Sequence, residues 1–503
     1  MKANGTRVED LAGTGLVTKQ RWILPLWASV LALAVRSSAY GIWWLTLRTC
    51  RAWPVTVPFL AVVGSWFLAG PVTTAALITS TGATGLMWAR RRPDAFSRTV
   101  GQRYRGTWRW QTRYRRLWHP AMDGTGLTRT TPERQVYVPT VTRIRSTRFV
   151  DTLDVRLLHG HTPEDVAERA EGLRHAFAAY RCSVVEDAPG RIRVLFYSRD
   201  PLRSVVPPLE PAAVPDLERL PVGVAEDGTL YTLGLVGRHV LVAGASGSGK
   251  GSVLWSLVRA MAPAIASGLV RMRGLDPKGG MELFPGRALF THYADEHPAD
   301  LVAVLEQAVE DMSVRQRRLK AEGLRKFVPS TSDPLEVVLV DELAFLTAYA
   351  DKGTKLKVSA ALSQLLSQGR AVGFCVVAAL QDPRKEVLPF RDLFTYRIAL
   401  RLTEDSHVDM VLGDGALERG AACHRIPDSF PGIGYVHVDG AVEPVRVRFS
   451  YLADQDIRDL ASTWPAFGAD GSTAIDLRTG SGTVIPAPRG VPKIERGGTA
   501  EAS

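Results

Sequence analysis

Leu241-Val242-Ala243-Gly244-Ala245-Ser246-Gly247-Ser248-Gly249-Lys250-Gly251-Ser252 leaves a β-branched strand, turns through glycines and enters a helix. Such a turn lets successive N–H groups point at phosphates while the helix that follows aims its positive dipole end at them. The stretch therefore predicts an ATP site built from Gly244 through Ser252, with Lys250 neutralising phosphate charge. Val253, Leu254, Leu257, Val258 and Met261 recur at helical spacing, which supplies the strand, loop and helix context the motif requires. One position departs from the pattern. Gly251 stands where GxxxxGK[ST] places a hydroxyl for Mg²⁺, and the hydroxyl comes one residue later, on Ser252. Ser252 is the expected loop ligand of the metal, and a glycine-rich turn beside a solvated lysine is the bland alternative.

About ninety residues on, Glu336-Val337-Val338-Leu339-Val340-Asp341-Glu342 reads as a buried parallel strand ending in two carboxylates. Asp341 is expected to hold Mg²⁺ directly or through water, and Glu342 to polarise the water that attacks the γ-phosphate. A third strand, residues 373–380, ends at Gln381, a side chain suited to sensing the γ-phosphate. A fourth, residues 393–402, carries Arg397 and Arg401, with Arg370 just before the third. Arg397 is taken as the catalytic candidate, an arginine that stabilises transition-state charge from a neighbouring subunit. Spacing alone does not choose among the three, and a salt bridge explains each equally well.

Residues 52–89 hold no charged side chain across 38 positions, whereas one crossing of a hydrocarbon core needs about 20 apolar residues. The reading is a transmembrane helical hairpin punctuated at Gly70-Pro71. Arg48 and Arg51 before it and Arg90-Arg91-Arg92 after it place both ends on the cytoplasmic side, so the protein is expected to be multi-pass in the cell membrane with its catalytic part in the cytoplasm. Residues 1–51 form the cytoplasmic N-terminus, where the apolar stretch from Trp22 to Leu47, interrupted by Arg36, reads as an interfacial helix or a third crossing.

The net charge of +11 is concentrated. Residues 90–118 contain ten arginines against Asp94 alone and carry +9 of it, interleaved with Phe96, Tyr104, Trp108, Trp110, Tyr114 and Trp118. Residues 90–135 are read as a juxtamembrane linker that anchors to anionic headgroups, with direct DNA binding as the lesser alternative. At 46% hydrophobic and 22% charged, 503 residues suffice for an anchor and two or three folded units. Cys50, Cys182, Cys375 and Cys423 lack CxxC spacing, and Cys423-His424 with His437 lack a fourth zinc partner, so reduced thiols and no zinc site are expected.

Residues 136–200 read as a small α/β domain. Two strands precede a helix begun by Thr162-Pro163 and running through Tyr180, and a hairpin around Ala188-Pro189-Gly190 follows. Residues 201–220 read as a Pro-rich linker and 221–460 as the catalytic domain. The remainder, 461–503, rich in Gly, Ser, Thr, Pro and Ala beyond position 467, reads as a disordered tail.

From Pro221 to Asp456 the order of motifs resembles the FtsK/SpoIIIE family of DNA translocases. The likeness rests on the hairpin from Val222-Gly223 to Leu235, the entry strand from His239, Leu275-Asp276-Pro277-Lys278 with Glu282, and Gly323-Leu324-Arg325. Asp341-Glu342-Leu343-Ala344, Gly369-Arg370-Ala371, Tyr396-Arg397-Ile398-Ala399 and Asp405-Ser406 continue it, with His407 where the family has arginine. The resemblance implies an α/β fold: a RecA-like P-loop NTPase motor behind N-terminal transmembrane helices and a small α/β linker domain. It also implies ATP and Mg²⁺ as cofactors, double-stranded DNA threaded through a homo-hexamer, and the cytoplasmic membrane as a partner. The compact anchor and the lack of a winged-helix reading module resemble the actinobacterial conjugative transfer proteins. Accessory transfer or DNA-recognition proteins are then expected to choose the sequence. A type VII-secretion-like protein-export ATPase, a chromosome-partitioning translocase and a non-hydrolysing nucleotide-binding scaffold are the alternatives, although secretion motors usually string several P-loops along one chain.

Overall fold

The computed structural model describes residues 53–130, 134–384, 390–441 and 443–468. The readings for 1–51 and for the tail beyond 468 lie outside these residues. Two compact units divide at Gln102 and Arg103.

In the first unit Trp53–Arg91 is helical, broken at Gly70 (φ 84, ψ 174). The break falls at the expected punctuation, because only glycine accepts that backbone geometry without strain. Among the described residues, no helix is long and apolar enough to cross a membrane.

In the second unit the P-loop strand sits inside a ten-stranded sheet. Its strands are β1 (Leu220–Ala225), β2 (Leu230–Leu233), β3 (Val240–Ala243), β4 (Val270–Leu275), β5 (His292–Ala294) and β6 (Leu335–Val340). They are followed by β7 (Phe374–Leu380), β8 (Tyr396–Ala399), β9 (Ile433–Val438) and β10 (Val445–Phe449). The spatial order is β5-β4-β6-β7-β3-β8-β9-β10-β1-β2. Pairing is parallel from β5 to β8 and antiparallel from β8 to β2. The parallel strands are Val/Ile/Leu-rich because helices cover both faces. Every residue of β3, β6 and β7 is buried.

β7 is inserted between the P-loop strand β3 and the acidic strand β6. The ends of all three therefore lie side by side, which brings sequence-distant groups to one edge. Helix α1 (Lys250–Ala266) follows the loop, and its residues from Val253 to Ile265 are buried apart from Arg259. Helices α2 (Pro298–Ala321) and α3 (Lys352–Gln368) pack on each other.

Four sequence expectations need correction. Residues 90–135 are not simply a linker, because their second half builds the core of the small domain. Tyr114 stacks on Phe177 and Phe196, Trp118 donates its indole N–H to Pro139 O at 2.8 Å, and Met122 is 1% exposed. Fully buried Asp151 receives the Tyr114 hydroxyl at 2.8 Å and pairs with Arg109. Arginine and tryptophan at helical spacing serve a basic domain edge as well as a headgroup layer, and composition cannot separate the two. Tyr104 and Trp108 remain exposed. The domain's sheet is antiparallel, in the order 140–146, 150–156, 191–197 and 181–188. Thr162 caps its helix through a reciprocal bond pair with Asp165, but the helix breaks at Arg169 and ends by Ala176, before Tyr180.

Residues 201–220 are not a free linker. Leu202, Val206 and Leu217 are buried, Arg448 donates to Leu202 O at 2.7 Å, and Arg259 donates to Leu209 O at 2.7 Å. The prolines hold an extended strap whose apolar residues dock on the motor. The tail does not begin at 461, since helix α5 (Asp454–Thr463) continues past it and Ala466 N–H bonds Ala288 O at 2.8 Å. (Helix α4 is Ser406–Leu412.)

Candidate active site

The loop between β3 and α1 is held from both sides. Gly244 N–H bonds Leu380 O on β7 at 3.1 Å, and Ala245 N–H bonds Arg401 O at 2.9 Å. Gly249 adopts φ 94 directly before α1, and a side chain there would overlap the backbone of Gly432. First-turn amides of a helix lack the usual i−4 acceptors; in α1 the Ser252 N–H turns to Gly249 O at 3.1 Å. Lys250 Nζ turns back to Gly244 O at 3.0 Å and Ala245 O at 3.4 Å. Burial holds its ammonium below the ordinary lysine range, with the Glu342 carboxylate opposing.

β6 delivers its two acids next to this loop. Glu342, 2% exposed, accepts Lys278 Nζ at 3.0 Å on one oxygen and the Gln381 backbone N–H at 3.2 Å on the other. Asp341 is 6% exposed and has no hydrogen bond or ion pair to its carboxylate among the described residues. Burial, then the nearby Glu282 and Asp276 carboxylates, push it up to about 7, and a cation beside it would draw it down again.

Asp276, at the end of β4, organises the turn that carries two further groups. Its Oδ2 accepts the backbone N–H groups of Glu282 at 2.9 Å and Leu283 at 2.8 Å. That fold sends Lys278 to Glu342 and Glu282 over Gly251. Sequence reasoning placed both residues in a matching segment but gave neither a role. The signal was a Lys and a Glu just after a strand parallel to the acidic one.

The structure brings together Gly244 to Ser252, Asp341, Glu342 and Gln381. Gln381 is exposed and lines, with Ala245, Ser246, Tyr349, Glu404 and His407, an open cleft of about 670 Å³. Arg397 is not in this group. It lies within β8 opposite His437 and Leu241, against Gly413, and its buried Nε has no partner among the described residues. Arg401 donates to Ser246 O at 2.8 Å on its own loop, and exposed Arg370 donates to Gly237 O at 3.0 Å. Ser252 faces Gly432, where an added Cβ would lie 3.7 Å from its Oγ.

The residues fit Mg·ATP. Among the described residues neither the buried Asp341 carboxylate nor the buried Ser248 Oγ at the loop has a side-chain partner. Among the described residues no three His, Cys, Asp or Glu side chains could form a cage for a metal ion. Mg²⁺ enters with phosphates and takes one or two carboxylates from the protein.

Residues 214–429 match the FtsK/SpoIIIE family, and residues 86–197 match the actinomycete conjugal transfer protein N-terminal domain. Over 317 residues the chain is 30% identical to Transfer protein TraSA of Streptomyces ambofaciens, covering 59% of this chain and 75% of that protein. The chain belongs to the FtsK/SpoIIIE family. Within the family, DNA translocase FtsK of Mycobacterium leprae is 25% identical over 350 residues, 63% of this chain but 39% of that protein. The solved pCW3 conjugation coupling protein TcpA, a monomer form with ATPγS, aligns over 69% of this chain and 98% of its own at 16% identity and TM-score 0.46. As an FtsK/SpoIIIE member, the chain carries the family's P-loop ATPase fold between β1 and β10.

Proposed function

We propose that this protein is a membrane-anchored ATPase that moves double-stranded DNA from cell to cell. The observation that carries the reading is Glu342, held at the end of a buried strand between Lys278 and the Gln381 N–H, beside the phosphate loop. Kinship with a conjugal transfer protein over 59% of the chain supports DNA as the cargo.

Loop amides and Lys250 bind the phosphates, Lys250 exchanging the carbonyls of Gly244 and Ala245 for phosphate oxygens. Asp341 would hold Mg²⁺, which would supply positive charge against the phosphates. Glu342 takes the proton of the attacking water, and Lys278 Nζ, 3.0 Å from Glu342 Oε2, holds the carboxylate in place. Because the Gln381 N–H rides on Glu342, a change at the carboxylate moves the end of β7 and the cleft beyond it. DNA passes through a homo-hexameric ring and is gripped mainly by its backbone. Of the three arginines, exposed Arg370 is best placed to reach a neighbour's site, whereas Arg397 is held within its own sheet. Residues 52–89 anchor the ring in the cytoplasmic membrane as a hairpin, and accessory proteins select the DNA.

The test is ATP hydrolysis by the full chain in detergent, with and without linear duplex DNA. Stimulation by duplex over single strands is expected. No hydrolysis with any DNA defeats the reading.

A further inference from the structure

The glycine after Lys250 is matched to an acid elsewhere in the chain. A Cβ built on Gly251 would overlap Glu282 Oε1 and lie 3.1 Å from its Cδ. The volume that a serine or threonine side chain fills at this position therefore holds a carboxylate. Glu282 is not there by accident of a flexible rotamer alone, because its own N–H and that of Leu283 are fixed on buried Asp276. Asp341 stands at the end of the adjoining strand, its N–H on Leu275 O at 3.1 Å beside the Asp276 turn that carries Glu282, and its buried carboxylate has no partner among the described residues. The nearest hydroxyl in sequence, Ser252, is turned to Gly432 on the other side of the loop.

We propose that Glu282 takes over the metal-positioning role of the missing loop hydroxyl, and that Gly251 is glycine so that this carboxylate can enter. The inference rests on the nucleotide-binding reading above and deepens it. A hydroxyl is neutral, whereas a carboxylate at the same place repels the phosphates until a divalent ion bridges them. The exchange makes nucleotide binding depend more steeply on Mg²⁺. It also explains how a loop without its usual ligand retains a metal site, since Mg²⁺ needs only one or two protein carboxylates once phosphates supply the rest.

The test measures binding of fluorescent ATPγS by the full chain as Mg²⁺ is titrated, with no turnover required. Glu282→Gln keeps the shape and removes the charge. Its Mg²⁺ concentration for half-maximal gain in nucleotide affinity is expected to rise about tenfold or more, the scale on which metal-site partners act. Nucleotide affinity without metal is expected to hold or improve. Gly251→Ser alone collides with Glu282 and should lose the Mg²⁺ gain, while Gly251→Ser with Glu282→Ala reinstates a hydroxyl and should recover it, which a purely structural role for Glu282 does not predict. A Glu282→Gln titration within twofold of wild type overturns the proposal, as does a double variant no better than Gly251→Ser. Absence of ATPγS binding by the wild-type chain would instead overturn the nucleotide reading itself.

Discussion

Lowering the pH should loosen the root of the phosphate-loop strand through His239. This side chain is fully buried just before β3, where its Nδ1 accepts the Val376 N–H at 3.0 Å and its Nε2 donates to Leu366 O at 3.1 Å. The Nδ1 bond needs the neutral ring, because a protonated Nδ1 cannot accept, whereas the Nε2 bond survives protonation. Burial pushes its pKa from 6.5 down to about 4, helped by Arg370 and opposed by the Leu366 bond. As pH falls, the unfolded chain binds the proton first, so this stability is present above about 6.5 and is lost progressively down to about 4. The full difference is worth about 3 kcal/mol, of which about 2 kcal/mol is lost by pH 5. In His239→Asn the amide oxygen replaces Nδ1 as acceptor, but the shorter side chain leaves Leu366 O unpaired, costing about 1 to 2 kcal/mol at pH 7. Urea unfolding of the full chain in detergent, followed by tryptophan fluorescence at pH 7 and pH 5, gives the comparison. Other titrating groups cancel between the two proteins. Wild type should lose about 2 kcal/mol more than the variant on acidification, closing the gap between them. Equal losses would refute the reasoning.

Three further outcomes are expected. Glu342→Gln should cut ATP turnover about 100-fold or more while ATPγS binding persists, as removal of a general base does, and unaltered turnover would take Glu342 out of that role. Lys278→Met leaves the buried Glu342 carboxylate without its cation and should cut ATP turnover about tenfold or more while ATPγS binding persists; unaltered turnover would show that Lys278 does not position Glu342. Asp151→Ala strips a buried charge from Arg109 and the Tyr114 hydroxyl and should destabilise the small domain by about 3 kcal/mol, read by hydrogen exchange in residues 140–197. Unchanged protection there would contradict the burial argument.

The loop and the acidic strand were legible because each is a local pattern: glycines at fixed spacing after β-branched residues, and an apolar run closed by two acids. Their neighbourhood was not. Lys278 and Glu282 reach the site only because a turn wraps around Asp276, and β7 meets β3 through a pairing such as Val377 with Val240, more than a hundred residues apart. Local pattern carries no signal for either. Residues 103–124 misled for a different reason, since arginines with tryptophans satisfy a membrane surface and a basic-edged core alike. The strap misled because prolines mark an extended chain without saying whether it docks. Arg397 sits within β8 at the level of Leu241.

That docked strap bears on recoil. A machine that pulls DNA is pulled in turn, and a slack tether would spend each stroke taking up its own length. Here Asp200 at the strap's start is gripped by Arg446 at 3.0 Å, while Arg181 and Tyr197 of the small domain close on Glu226 of the motor. The small domain is thus tied directly to the sheet that carries the phosphate loop, and the join between them has little slack to take up.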